Sequence, residues 1–253
     1  MVLRKYTKGN ATTATAGRGG LVAGGTPLAP KAGLNAFQWD LRSEPPTKLP
    51  GNVNIWGGGK SGFEATPGRY TARLSVGTVV QTLPFDVRPD PRSTATAADF
   101  TARDSLSRTI IARISEIHDA LLRVRDVKVQ VGTFVERAKD TPTAKTIAEK
   151  GKTITGTVDV LDPKLSTKAA NGQDVINYRN GINAQYGFLL GNIEGNDALT
   201  QPMRERFVEL EKQWSLRRAE IETLENADVA AFNKLLLEAG VQGVIVPKPK
   251  VAM

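Results

Sequence analysis

The chain has no cysteine and a single histidine, His118. Without cysteine there are no structural disulfides and no thiolate chemistry, which suits a cytosolic or a bacterial extracytoplasmic setting equally. One histidine leaves a zinc-type centre without a second nitrogen ligand, and there is no sulfur to replace it. No apolar run reaches eighteen residues, so no transmembrane helix is expected. The opening MVLRKYTKGN has basic residues but neither an apolar core nor a small-residue cleavage site, and so does not read as a signal peptide. Aromatic residues are scarce at 6%, and the net charge of +8 is not concentrated in one segment. Stretches such as RERFVELEKQ and LRRAEIETLE interleave acids with bases, as a solvated helix surface does. A nucleic-acid binder gathers positive charge on one face with aromatics beside it. A basic nucleic-acid-binding surface is therefore the last of three functional readings.

What is present is enough to build cores: 253 residues, 40% of them hydrophobic, in one large domain or two ordinary ones. Met1 to Thr7 reads as a short strand, and Lys8 to Lys31 as a long Gly-, Thr- and Ala-rich loop. Leu34 to Leu41 alternates Asn35, Phe37 and Trp39 with Ala36, Gln38 and Asp40, the period of a half-buried strand. Glu44 to Gly62 is turn-rich, with a short apolar edge at Val53–Trp56. Pro67-Gly68 then turns the chain into a strand with Tyr70, Ala72, Leu74 and Val76 on one side. Gly77-Thr78 connects it to a partner strand, Val79 to Val87, in which Pro84 points to an edge or a bulge.

After Asp90-Pro91 the period changes from two to helical. Thr96 is a candidate N-cap, and Ile110, Ile114, Ile117, Leu121, Val124, Val131 and Ala138 form one stripe. Asp140-Thr141-Pro142 ends it, with Thr141 as the expected cap of a second helix over Ala144 to Leu161. Gly151, Gly156 and several β-branched residues lower helix propensity there. Further stripes run through Val175, Ile182, Tyr186, Leu189 and Ile193, and through Met203, Phe207, Leu210, Trp214, Ile221 and Leu224. A shorter helix starts at Asn226 or Asp228 and ends at Gly240.

Motifs that could carry chemistry are incomplete. Gly57-Gly58-Gly59-Lys60-Ser61 resembles the end of a phosphate-binding loop, but Asn54 stands where the leading glycine belongs, and Gly62, Pro67 and Gly68 follow where a helix should start. His118, flanked by Glu116 and Asp119, reads as a helix-surface histidine. Glu209/Glu211 and Glu220/Glu222 are two apart, on different helix faces, and make no acid/base pair. In WDLR, Trp39 keeps phase with Phe37 and reads as core, with Asp40 and Arg42 holding the strand end. Trp56 and Phe63, in Gly-rich connections, are the candidate interaction surface. No catalytic residue, cofactor or metal site is expected.

Taken together, GLNAFQWDLR, PGRYTARLSVG, VRPDPR, IHDALLRVRDVKVQ and ENADVAAFNKLLLEAGV resemble the C-terminal region of bacterial sortilin-type β-propeller proteins, which carry neuraminidase-like repeats and are labelled glycosyl hydrolases. The resemblance covers about Val2 to Val246. It implies an immunoglobulin-like β part, an exported parent in the periplasm or outside the cell, and a propeller as partner. The S-x-D-x-G-x-x-W repeat of those propellers is absent, so their enzymatic label attaches to no residue here.

The expected architecture is multidomain, all-β plus all-α. Residues 1–92 form a partial immunoglobulin-like β-sandwich with a long Gly-rich loop, incomplete at its N-terminus. Residues 96–246 form an antiparallel helical bundle of four or five helices. With four or five strands against the roughly seven of a full sandwich, the β module is expected to expose an edge that self-associates or pairs with another chain. The expected function is a non-catalytic accessory region packing on a β-propeller or partner protein. The first alternative is carbohydrate binding or hydrolysis as part of a glycosyl-hydrolase-like protein.

Overall fold

The computed structural model describes residues 2–7, 30–50, 62–167, 180–195, 198–241 and 243–247. Among these residues two strands and five helices follow one another: β1 Gly68–Val76, β2 Val79–Val87, α1 Ala97–Arg137, α2 Ala144–Leu165, α3 Ile182–Glu194, α4 Gln201–Thr223 and α5 Val229–Glu238. A π-helical turn, Leu224–Asp228, joins α4 to α5 without a break.

Helix α1 begins at a capping box. The Thr96 hydroxyl oxygen accepts from the Asp99 amide at 3.2 Å, and the Asp99 carboxylate accepts from the Thr96 amide at 2.9 Å. At 41 residues the helix is about 60 Å long. It carries the apolar stripe expected of it, with Ile110, Ile114, Ile117, Leu121, Val124, Val127 and Val131 all buried. Helix α2 runs back along its C-terminal half, where Asp162 pairs with Arg125, Asp159 with Lys128, and Gly151 lies against Val131 and Val135. Helix α3 keeps the direction of α2 and lines the N-terminal half, bringing Asn183 to His118. Helix α4 then returns parallel to α1, with Glu211 beside Arg113 and, two residues past its end, Glu225 beside Arg123. Helix α5 extends that rod onto α2. The helical part is thus three rods side by side: α1, then α2 and α3 end to end, then α4 through α5. Its core is the seam between them, filled by Ile154, Leu161, Leu165, Tyr186, Leu190, Leu210, Trp214 and Phe232.

The N-terminal part departs from expectation. Among the described residues no sandwich forms: the sheet has two antiparallel strands, β1 and β2. Residues 2–7 and 34–41 are not strands, and the one further pairing among the described residues is an isolated bridge between Arg42 and Glu64. Nor does the chain divide into an all-β and an all-α object, because Leu49 and Phe63 are members of the helical core. The alternation of residues 34–41 is real, but no neighbouring strand satisfies its backbone among the described residues. Its aromatic rings instead meet Tyr6 and the hairpin, and the chain runs as an irregular strap, fixed to α1 and α3 from Arg42 onward.

Smaller corrections have local causes. Thr143, not Thr141, occupies the N-cap of α2, while the Thr141 hydroxyl donates to the Ala138 carbonyl at 2.7 Å and closes the turn. Helix α2 runs past Asp162 and through Pro163 to Leu165, since a proline in a last turn obstructs only the carbonyl a turn earlier. Val175 lies outside the described residues.

Candidate interaction surface

The hairpin is built by its turn. Gly77 has φ +57°, a left-handed conformation that glycine adopts without steric cost, and Val76 pairs with Val79 directly behind it. The register places Tyr70 opposite Phe85, Ala72 opposite Leu83, Leu74 opposite Gln81 and Val76 opposite Val79 on one face. The other face sets Arg69 against Asp86, Thr71 against Pro84, Arg73 against Thr82 and Ser75 against Val80. One face is therefore apolar except at Gln81, and the other largely polar. Only the base of the apolar face is covered. There Trp39 of the strap meets Tyr70 at 5.7 Å and Phe85 at 6.1 Å, ring centre to ring centre. The Tyr70 hydroxyl donates to the Thr66 carbonyl at 2.6 Å, and the Trp39 indole to that of Arg42 at 2.9 Å. Beyond the base, Leu74, Val76, Val79 and Leu83 are 58%, 67%, 62% and 69% exposed. A two-stranded hairpin is marginal in water on its own, and this one projects a bare apolar face.

The strap that carries Trp39 is fixed at several points. Arg42 Nη1 donates to the Gly62 carbonyl at 3.0 Å and to both oxygens of Glu194, at 3.2 and 3.1 Å. Glu194 also accepts from the Glu64 amide at 2.7 Å, so one carboxylate of α3 holds both passes of the strap. Gly62 has φ +76° and sits so close to the Ser43 carbonyl that no Cβ fits. Further along, Thr47 attaches to α1 through Ser115, His118 and Asp119.

Of the candidate surface residues, Trp56 lies outside the described residues, as does Gly57–Ser61. Phe63 is only 3% exposed, under the Arg108 guanidinium at 4.9 Å, and offers no open face. His118 is not on the helix surface but 2% exposed. Burial holds its imidazole below the ordinary value of 6.5, against the backbone carbonyl of Thr47, which favours the charged form. Glu209 and Glu211 go separate ways: Glu209 takes the Arg206 guanidinium, and Glu211 binds across the helices.

Glu211 accepts from Arg113 Nε at 2.8 Å and Nη2 at 2.7 Å, and from the Tyr186 hydroxyl at 2.6 Å. Burial works against its ionisation, but the Arg113 and Tyr186 hydrogen bonds outweigh that and hold the carboxyl below its ordinary value. Burial and the same carboxylate push the Tyr186 phenol well up. Arg113 also binds Glu116. Every member is satisfied by another, so the cluster ties α1, α3 and α4 together and leaves no free acid or base. Among the described residues no group of three or more His, Asp or Glu could hold a metal ion, and no helix is long and apolar enough to cross a membrane.

No protein-family model, curated protein or solved structure matches the chain. The surface stands on its own geometry. The alternation of Tyr70, Ala72, Leu74 and Val76 was the signal that could have located it, because it marks one apolar face with no second sheet required to cover it.

Proposed function

We propose that this chain is a non-catalytic interaction module that docks through the apolar face of its hairpin onto a β-rich partner. The observation that carries the reading is the bare face of Leu74, Val76, Val79 and Leu83 on a projecting two-stranded sheet. An exposed face of this kind gains about 25 cal/mol per Å² when covered, and the open strand edges favour a partner that is itself a sheet. The partner of choice is the β-propeller of an exported bacterial protein, supported by the resemblance of the strand and helix patterns to propeller-associated regions. The helical rods serve as the platform: the strap seats Trp39 at the hairpin base and is itself held on α1 and α3. Sugar binding has less support, since Trp39, Tyr70 and Phe85 pack on one another rather than line an open platform. Nucleic-acid binding has less still, because Arg113, Arg123, Arg125, Lys128 and Lys150 are engaged in ion pairs with acids of neighbouring helices.

A photo-crosslinking residue at Leu83, in cells of the source organism, tests the proposal. Crosslinks to a chain with propeller repeats are expected, and Leu74→Glu should abolish them while the helical melting transition stays in place. Crosslinking only to a second copy of this chain, or none at all, would overturn the propeller assignment.

A further inference from the structure

The polar groups of Thr47 are all bound to one face of α1. Its amide donates to Ser115 Oγ at 3.1 Å, its hydroxyl to Asp119 Oδ2 at 3.4 Å, and its carbonyl lies 2.6 Å from His118 Nδ1. Ser115, His118 and Asp119 are spaced i, i+3, i+4, so a single turn presents all three. The flanking chain is stiff, with Pro45, Pro46 and Pro50 limiting its φ angles and Pro46 and Leu49 buried. On its other side the imidazole meets α3: His118 Nε2 lies 3.0 Å from Asn183 Nδ2. The orientation of that amide is set by its own helix, because Asn183 Oδ1 accepts from the Ala184 amide at 2.7 Å.

These bonds define the ring's protonation. A carbonyl can only accept, so Nδ1 carries the hydrogen. The Asn183 NH2 can only donate, so Nε2 must be bare. A second proton would sit on Nε2 against an NH2 group in a site closed to solvent, and turning the amide over would set that NH2 against the Ala184 N–H instead. We propose that neutral His118 latches the strap onto the helices, and that protonation at Nε2 releases residues 42–50 from α1 while the rods stay folded. The charged groups acting on the ring are Asp119 on its own turn, which favours the cation, and Arg125 two turns beyond, which opposes it. Arg125 is itself paired with Asp162 of α2. From α3 the ring faces Asn183, and from the strap Thr47, neither of which titrates.

The sign follows from linkage. Burial depresses the latched pKa below the ordinary 6.5, which the released ring regains. Latching is at full strength above about pH 6.5 and weakens as pH falls toward the latched value, by at most about tenfold per pH unit, then levels off. As the only histidine of the chain, His118 gives unambiguous imidazole resonances, so a titration of the full chain by NMR reports tautomer and protonation directly. Hydrogen exchange of residues 42–50 is followed over the same pH range, corrected for intrinsic rates. The expected result is an Nδ1–H tautomer at pH 7.5, a midpoint below 6.5, and loss of strap protection that follows the titration while the Ile114–Val124 amides stay protected. In His118→Gln, strap protection should lose this pH dependence. An Nε2–H tautomer, a midpoint at or above 6.5, or protection lost equally in strap and α1 would overturn the proposal. Should the variant not fold, the comparison of titration and exchange in the unaltered chain decides alone.

Discussion

At the scale of single residues, two side chains show how much burial asks of chemistry. Trp214 is 1% exposed in the seam of the rods, yet among the described residues its indole N–H has no hydrogen-bond partner, while the Arg218 guanidinium lies 5.7 Å from the ring. Its value therefore lies in volume and apolar surface. Trp214→Ala should cost about 3–5 kcal/mol, whereas Trp214→Phe, which deletes an unsatisfied donor along with some volume, should cost about 2 kcal/mol or less. Chemical denaturation of the two variants checks the ordering, and equal losses would show that the indole nitrogen matters. Trp214 was legible in the sequence because it falls in step with Leu210 and Ile221. His118 was not, since its flanking Glu116 and Asp119 mark an outer face, and the ring is enclosed by the strap, arriving from about seventy residues away, together with Asn183 of α3. A period describes a helix by itself. It contains nothing about an irregular segment that later lies on it.

Among the elements, the two glycines of α2 separate what propensity says from what packing says. Both lower the helix-forming tendency of Ala144 to Leu165 to the same degree. Gly156 is exposed, and an added Cβ would meet nothing within 4 Å; Gly151 is buried, and a Cβ there would lie 2.5 Å from Val135 Cγ2 and 3.3 Å from Val131 Cγ1. Gly156→Ala should stabilise by about 0.5–1 kcal/mol. Gly151→Ala should destabilise by about 1–3 kcal/mol, because α1 and α2 must part to admit the methyl. Thermal unfolding of both variants gives shifts of opposite sign if the α1–α2 contact is as described. The sheet gives the same lesson in reverse. The turn, register and facing of β1 and β2 were all readable, since a hairpin is a local object governed by Gly77-Thr78 and alternation. Whether further strands join it depends on long-range pairing, and the alternation at residues 34–41 finds no such partner. Just beyond it the chain goes down on α1 and α3, through Thr47 and through Arg42 with Glu194. The α4–α5 junction was read as two helices, and the π turn makes one rod of them.

For the molecule as a whole, stability should fall on the acid side in two stages. His118, with its pKa depressed in the folded state, withdraws its contribution as pH drops from about 6.5 toward the latched value. Glu211, also depressed, contributes fully above its ordinary 4.5 and is lost as pH falls through its lower folded value. Calorimetry over pH 3 to 8 should show a level melting temperature above about pH 7, with the decline below 4.5 reduced in Glu211→Gln. A decline unchanged in that variant would place the acid-sensitive carboxylate elsewhere. At this scale the division into a β half and a helical half was the least legible feature, because Leu49 and Phe63, apolar residues in turn-rich stretches, are core members that no periodicity marks. The 41-residue span of α1 has one more consequence. The chain is free of cysteine, so a pair of introduced thiols at Asp99 and Glu136, near the two ends of that helix, can be labelled without interference. At 1.5 Å per residue the labels stand about 55 Å apart along one continuous axis. That is close to the working distance of common energy-transfer dyes, so the helix is a ready-made ruler: a constant reading as the hairpin engages its target would mean that capture is local to the arm, and a shortened one that the rod itself bends.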